Sequence, residues 1–197
     1  EDTLILYLGD HGFLMGEQGL VDKRVMYEPS IRVPLIAHCP SMIPGGRRID
    51  QLALNIDICP TILDAAGARP GKDLHGASLL PLLRGETAGW RSDFLYEYFW
   101  DWEALHTPTV LGLRTGRYSN MEYQGIWDIN ELYDIQADPH QIRNLIGDAA
   151  VRTEAGGLIR RIADPAVREL VIGMRKRMSA ILSQTNGRFY PAWRAGG

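Results

Sequence analysis

The sequence predicts an α/β part built on a mainly parallel sheet, followed by a smaller α+β part with an antiparallel sheet and a carboxyl-terminal helix. Three observations predict it. Thr3–Leu8 and Val33–Cys39 are apolar at consecutive positions, the pattern of strands covered on both faces. After about residue 86 the pattern changes to short β-rich runs separated by turn residues. Pro165–Gln184 then repeats apolar residues at helical spacing. The expected division is an α/β portion over 1–86 and a small subdomain over 87–197.

Taken in order, Thr3–Leu8 (TLILYL) reads as a central strand, and it opens into Gly9-Asp10-His11-Gly12. A central strand needs neighbours on both sides, and few candidate strands follow. The chain also opens without Met or a signal peptide. The expectation is a chain whose amino-terminal part is missing; the alternative is a small sheet completed by later strands. A glycine-bearing loop is expected over 13–24, a helical turn over Tyr27–Ile31, and a second buried strand over Val33–Cys39. Pro40–Gly46 is a turn. Leu54–Ala66 reads as a helix whose ordered part begins near Ile58, because Pro60 belongs in a first turn, and Gly67 stops it. Ala77–Leu83 is a short amphipathic helix ended by Gly85. Phe94–Phe99, Val110–Arg114, Tyr118–Tyr123 and Glu131–Asp134 are the antiparallel strands, and Asp138-Pro139 starts a turn. The last helix is expected to end at Asn186-Gly187.

The bulk numbers narrow the function. The 197 residues carry a net charge of -3, too small to imply an electrostatic partner, and no basic stretch resembles a nucleic-acid surface. No apolar run approaches the roughly 20 residues of a membrane helix. Cys39 and Cys59 stand in neither a CxxC nor a zinc spacing, so two buried thiols are expected rather than a disulfide.

The chemistry concentrates in Gly9–Pro34, GDHGFLMGEQGLVDKRVMYEPSIRVP. Ligand sites in open α/β sheets lie beyond the carboxyl ends of strands, where Asp10 and His11 fall. A carboxylate beside an imidazole, flanked by glycines, can turn both side chains towards one cation; a turn with a hydrogen-bonded His is the other reading. Lys23 is either a solvated surface residue or a cation placed to neutralise an oxyanion. Glu28 and Arg32, four residues apart, suit a structural ion pair. His106 lies in a loop between two predicted strands, close in sequence to Trp100 and Trp102, and by itself reads as an ordinary loop residue; a sugar contact there is what the family resemblance below implies. His38 reads as a core histidine inside an apolar strand, and His140 as an exposed turn residue.

These residues carry a resemblance. DHG, GEQGL, Lys23 followed by Glu28, and RVPL resemble the second signature block of the sulfatase family, in the alkaline phosphatase superfamily. Leu74-His75-Gly76-x-Ser78-Leu79 with Pro81-Leu82-Leu83-Arg84-Gly85 resembles a later segment of that family. Arg114-Thr115-x-Arg117-Tyr118, Glu131-Leu132-Tyr133-Asp134, Asp138-Pro139 and Asn144-Leu145 resemble its carboxyl-terminal subdomain. The blocks come in family order over roughly residues 1 to 146, and their wording is most similar to N-acetylglucosamine-6-sulfatases.

The resemblance implies an alkaline-phosphatase-like fold and hydrolysis of a sulfate ester, on a sulfated carbohydrate or another ester. It matches Asp10 and His11 to two ligands of a divalent cation, usually Ca2+, and Lys23 to the lysine that contacts the sulfate group. Many members have Asn where this chain has His11. Imidazole is a less natural calcium ligand than an amide oxygen, which leaves the identity of the metal open. The family's nucleophile is a formylglycine made within C/S-x-P-x-R, and neither Cys39 (CPSMI) nor Cys59 (CPTIL) fits that motif. The implied enzyme is therefore one whose nucleophile and remaining acidic ligands lie upstream, with this polypeptide inactive alone. By the same resemblance the protein is secreted, periplasmic or lysosomal. Two further classes stand beside it: a phosphate or phosphonate ester hydrolase of the same superfamily, and a non-catalytic binding module.

Overall fold

The structure is a computed structural model, and it describes residues 2–69, 71, 73–100, 102, 107–123, 130–147 and 161–185. Contacts divide the chain into two units. The first comprises residues 1–12 and 32–92, the second 13–31 and 93–197. The chain passes from the first unit to the second for the last time at Ser92–Asp93. Residues 13–31, which precede that boundary, pack with the second unit.

In the first unit, β1 (Ile5–Leu8) and β4 (Leu35–His38) pair antiparallel, with Ile5 opposite His38 and Leu8 opposite Leu35. This corrects the parallel expectation for these runs: no parallel pairing occurs among the described residues. A two-sided apolar pattern reports that both faces are to be covered, not the direction of the neighbouring strand. One face, with Leu4 and Ala37, packs on Cys39, Ile43 and Leu80. The other carries Ile5, Tyr7 and Ile36, which are 54%, 64% and 60% exposed. His38 is exposed on that face as well, so it is not a core histidine. Cys39 is buried but Cys59 is exposed, and both are free thiols.

Helix α2 (Ile58–Ala65) begins where Pro60 requires, after a 3-10 turn at Asn55–Asp57. Its start is pinned by Asp57, which is fully buried. The two carboxylate oxygens accept the Leu54 and Ala77 N–H groups at 2.8 and 2.9 Å and pair with the Arg91 guanidinium. Gly67 closes α2 with φ 67°. Helix α3 (Leu80–Arg84) ends on Gly85 with φ 99°, the left-handed cap that glycine adopts without a Cβ clash.

The second unit is built on a four-stranded antiparallel meander, β5 (Asp93–Tyr98), β6 (Val110–Thr115), β7 (Tyr118–Tyr123) and β8 (Glu131–Asp134), in that spatial order. Alternation gives it two faces. Leu113 and Leu132 meet Val171, Met174, Met178 and Leu182 of α4 (Pro165–Gln184). Asp164 caps α4, accepting the Ala166 N–H at 2.8 Å, and Pro165 occupies the first turn. The expected stop at Asn186-Gly187 lies outside the described residues; the helix closes at Gln184 with Thr185 as its cap.

The opposite face, with Val110, Met121, Tyr123 and Tyr133, is covered by Leu14, Val25, Met26 and Tyr27. The expected loop over 13–24 contains a small ladder of β2 (Leu14–Met15) against β3 (Val21–Asp22). A helical turn, α1 (Glu28–Ile31), follows as expected. Gly112 makes this packing possible: a Cβ there would lie 2.3 Å from Met26 Sδ and 2.9 Å from the Asn120 carbonyl oxygen. None of the described helices is long and apolar enough to cross a membrane.

Candidate active site

Asp10 and His11 follow directly on β1, where the strand's last peptide hands over to a glycine-flanked loop. Gly9 is tight against Val33, 3.3 Å from where its Cβ would be, so the loop leaves the strand close to the next segment. The Asp10 side chain is 86% exposed and that of His11 41%. The His11 N–H donates to Asp10 Oδ1 at 3.0 Å, and Asn55 Nδ2 donates to the Asp10 carbonyl at 3.4 Å. His11 Nδ1 lies 2.8 Å from the Gly12 carbonyl oxygen, a contact that places the ring proton on Nδ1. The other ring nitrogen, Nε2, is 3.3 Å from Asp10 Oδ2. A carboxylate oxygen and an imidazole nitrogen this close could serve as two ligands of one divalent cation. The pair thus fits as two adjacent ligands, with the Gly12 carbonyl orienting the ring. Among the described residues no group of three or more His, Cys, Asp or Glu is placed to hold an ion.

Lys23 belongs to the second unit and is partly buried. It follows β3, and its backbone N–H donates to Asp22 Oδ1 at 2.8 Å. The residues after it are fastened to the sheet. Tyr27 donates its hydroxyl to both Glu131 carboxylate oxygens at 2.8 Å. Glu28 pairs with Arg114 at 2.7 Å, and its N–H donates to Gln141 Oε1 at 2.7 Å. The partner of Glu28 is therefore Arg114 of β6, where sequence spacing pointed to Arg32; a neighbouring strand brought an arginine into a nearly buried site that local spacing does not report. Burial pushes Glu131 up to about 7, against the hydrogen bonds from Tyr27 and Tyr133 that hold it down. Burial likewise raises the Tyr27 and Tyr133 hydroxyls, with Glu131 adding to both.

The structure brings Asp10 and His11 together, and it places Lys23 in the unit that carries the antiparallel sheet. His106 lies outside the described residues. Asn55, Asp22 and Arg24 were not singled out from the sequence. Asn55 reads there as a helix start, and the backbone around Lys23 has no signature in residue type.

Residues 16–167 match the sequence model of the family described as N-sulphoglucosamine sulphohydrolase, C-terminal. The chain belongs to the sulfatase family. An N-acetylglucosamine-6-O-sulfatase of Bacteroides thetaiotaomicron is 38% identical over 153 residues, covering 76% of this chain and 27% of that protein. A solved structure described in complex with its substrate D-glucosamine-2-N,6-O-disulfate has a TM-score of 0.77 at 31% identity, over 93% of this chain and 34% of the other. A phosphonate monoester hydrolase from Silicibacter pomeroyi has a TM-score of 0.70 at 26% identity, over 93% and 35%. Across the curated sulfatases it matches first, this chain spans 27% to 32% of their length.

Proposed function

We propose that the chain forms part of a sulfuric ester hydrolase acting on a sulfated sugar, with the glucosamine 6-sulfate class as its substrate. The family match over residues 16–167 supports the reaction, and the 38% identity to an N-acetylglucosamine-6-O-sulfatase supports the substrate class. In the proposed enzyme Asp10 and His11 hold a divalent cation, Ca2+ or one more tolerant of imidazole, and Lys23 contacts the sulfate ester. His106 contacts the sugar. The formylglycine and the remaining ligands come from polypeptide outside these 197 residues, and the exposed apolar face of β1 and β4 fits a covering layer from the same source.

The cation and the formylglycine supply Lewis-acid charge and a nucleophile when present. The work of this chain is placement. With Nδ1–H donating to the Gly12 carbonyl, Nε2 would be the nitrogen that ligates the cation. Asp10 contributes a hard anionic oxygen beside it. The Lys23 ammonium offsets negative charge on the ester oxygens, and such a contact strengthens as charge builds up on them.

The test is hydrolysis by the full-length protein of N-acetylglucosamine 6-sulfate beside the matched 6-phosphate. The sulfate ester is expected to react, with Lys23→Ala lowering kcat/KM about a hundredfold. Turnover of the phosphate ester alone would favour the second reading, a phosphate or phosphonate ester hydrolase, which the similarity to the phosphonate monoester hydrolase supports. An unchanged Lys23→Ala enzyme would leave a binding module.

A further inference from the structure

Lys23 is flanked on both sides by non-glycine residues of positive φ, Asp22 at 147° and Arg24 at 78°. Backbone of this kind costs on the order of 1–3 kcal/mol per residue and persists only where the surroundings impose it. Here one side chain spans the lysine. Asp22 Oδ1 accepts the Lys23 N–H at 2.8 Å, and Asp22 Oδ2 accepts Arg24 Nη1 at 2.6 Å. The carboxylate thus grips the peptide that enters Lys23 and the side chain that follows it.

Both ends of the span are anchored. Asp22 pairs in the ladder with Leu14, which is fully buried. After Arg24, the buried residues Val25, Met26 and Tyr27 lie on the sheet, with Met26 over Gly112. The lysine is the link between two fixed segments, and the angle at which its side chain leaves the backbone depends on the two strained residues beside it. Glycine would adopt either conformation at less cost. The carboxylate is what a glycine would not supply.

We infer that Asp22 is a positioning residue for Lys23: by bridging the Lys23 amide and the Arg24 guanidinium it aims the lysine ammonium at the anionic oxygens of an ester substrate. This rests on the reading of Lys23 as the sulfate contact. The experiment is a double-mutant cycle in the full-length enzyme, measuring kcat, KM and melting temperature with N-acetylglucosamine 6-sulfate for Asp22→Gly, Lys23→Ala and the pair. Asp22→Gly is expected to keep or raise the melting temperature, because glycine relieves the backbone, and yet to lower kcat/KM about tenfold or more. In the Lys23→Ala background the same change is expected to alter kcat/KM by less than about twofold, since it acts through a side chain already removed. An Asp22→Gly enzyme with unchanged kcat/KM, or an equal loss in both backgrounds, would overturn the inference. If Lys23→Ala keeps full activity, the functional reading and this inference fall together. If Lys23→Ala loses activity and Asp22→Gly does not, this inference alone falls. Asp22→Asn, which tolerates positive φ, carries the same outcomes through the same cycle should the glycine variant melt early.

Discussion

Glu131 lies in the second unit's sheet with two tyrosines around it, and burial sets its behaviour. Its carboxyl titrates near 7 in the folded protein against a reference of 4.5, so the folded state binds this proton more tightly than the unfolded chain. Stability from this group is therefore fully present below about pH 4.5 and is lost as pH rises through about 7, by an amount on the order of 3 kcal/mol. Denaturant unfolding of the protein at pH 5 and pH 8 checks the sign. Glu131→Gln keeps an oxygen for the Tyr27 hydroxyl and removes the titration, so its stability should change less than the parent's over that interval. A variant with the parent's slope would assign the pH dependence elsewhere. None of this was legible in the sequence, where Glu131 opens an ELYD strand and its distance from Tyr27 in the chain hides their contact. The same holds for Glu28: helical spacing offers Arg32, and only the neighbouring strand supplies Arg114.

At the scale of elements, α4 meets the sheet through an apolar stripe, an exposed ion pair from Arg177 to Asp93 and a nearly buried one from Arg175. Arg175 reaches Glu122 at 2.6 and 2.9 Å, and both side chains are nearly buried. Removing one partner strands a charge in the core. Arg175→Met should lower stability by about 3–5 kcal/mol, and adding Glu122→Leu should recover much of it, because an apolar pair suits that interface. The midpoint of urea unfolding reads both. A double variant as unstable as the single would mean that the pair is not the source of the loss. The helix itself was legible from seven apolar residues in register over Pro165–Gln184; its Asp164 cap emerged only in the structure, and its expected stop at Asn186-Gly187 lies outside the described residues. The four strands of the meander were legible too, to within a residue or two. Turn residues punctuate the β-rich runs and mark where each strand ends.

At the scale of the whole molecule, the apolar face of β1 and β4 is one departure from an ordinary soluble surface. Ile5, Tyr7 and Ile36 are more than half exposed on adjacent strands. Exposed apolar strands of this kind drive association unless something covers them. The 197-residue chain alone should self-associate in light scattering, and Ile5→Lys with Ile36→Lys should reduce it. Equal association of the parent and the double variant would point to another surface. The candidate site divides in the same way. Asp10 and His11 are neighbours in the chain, so sequence reading could bring them together at one strand end. Lys23 sits in a segment that joins the second unit, which chain order did not suggest.

The sequence by itself determined the sulfatase family, the order of the elements and the placement of the Asp-His pair on a loop, because motifs, periodicity and turn residues are local. Only the tertiary structure decided that β1 and β4 run antiparallel, that residues 13–31 pack on the later sheet, and that Asp22 bridges the Lys23 amide and the Arg24 guanidinium. Those outcomes depend on which distant surfaces bury one another and on backbone angles that no residue type encodes, and chain proximity carries no record of either.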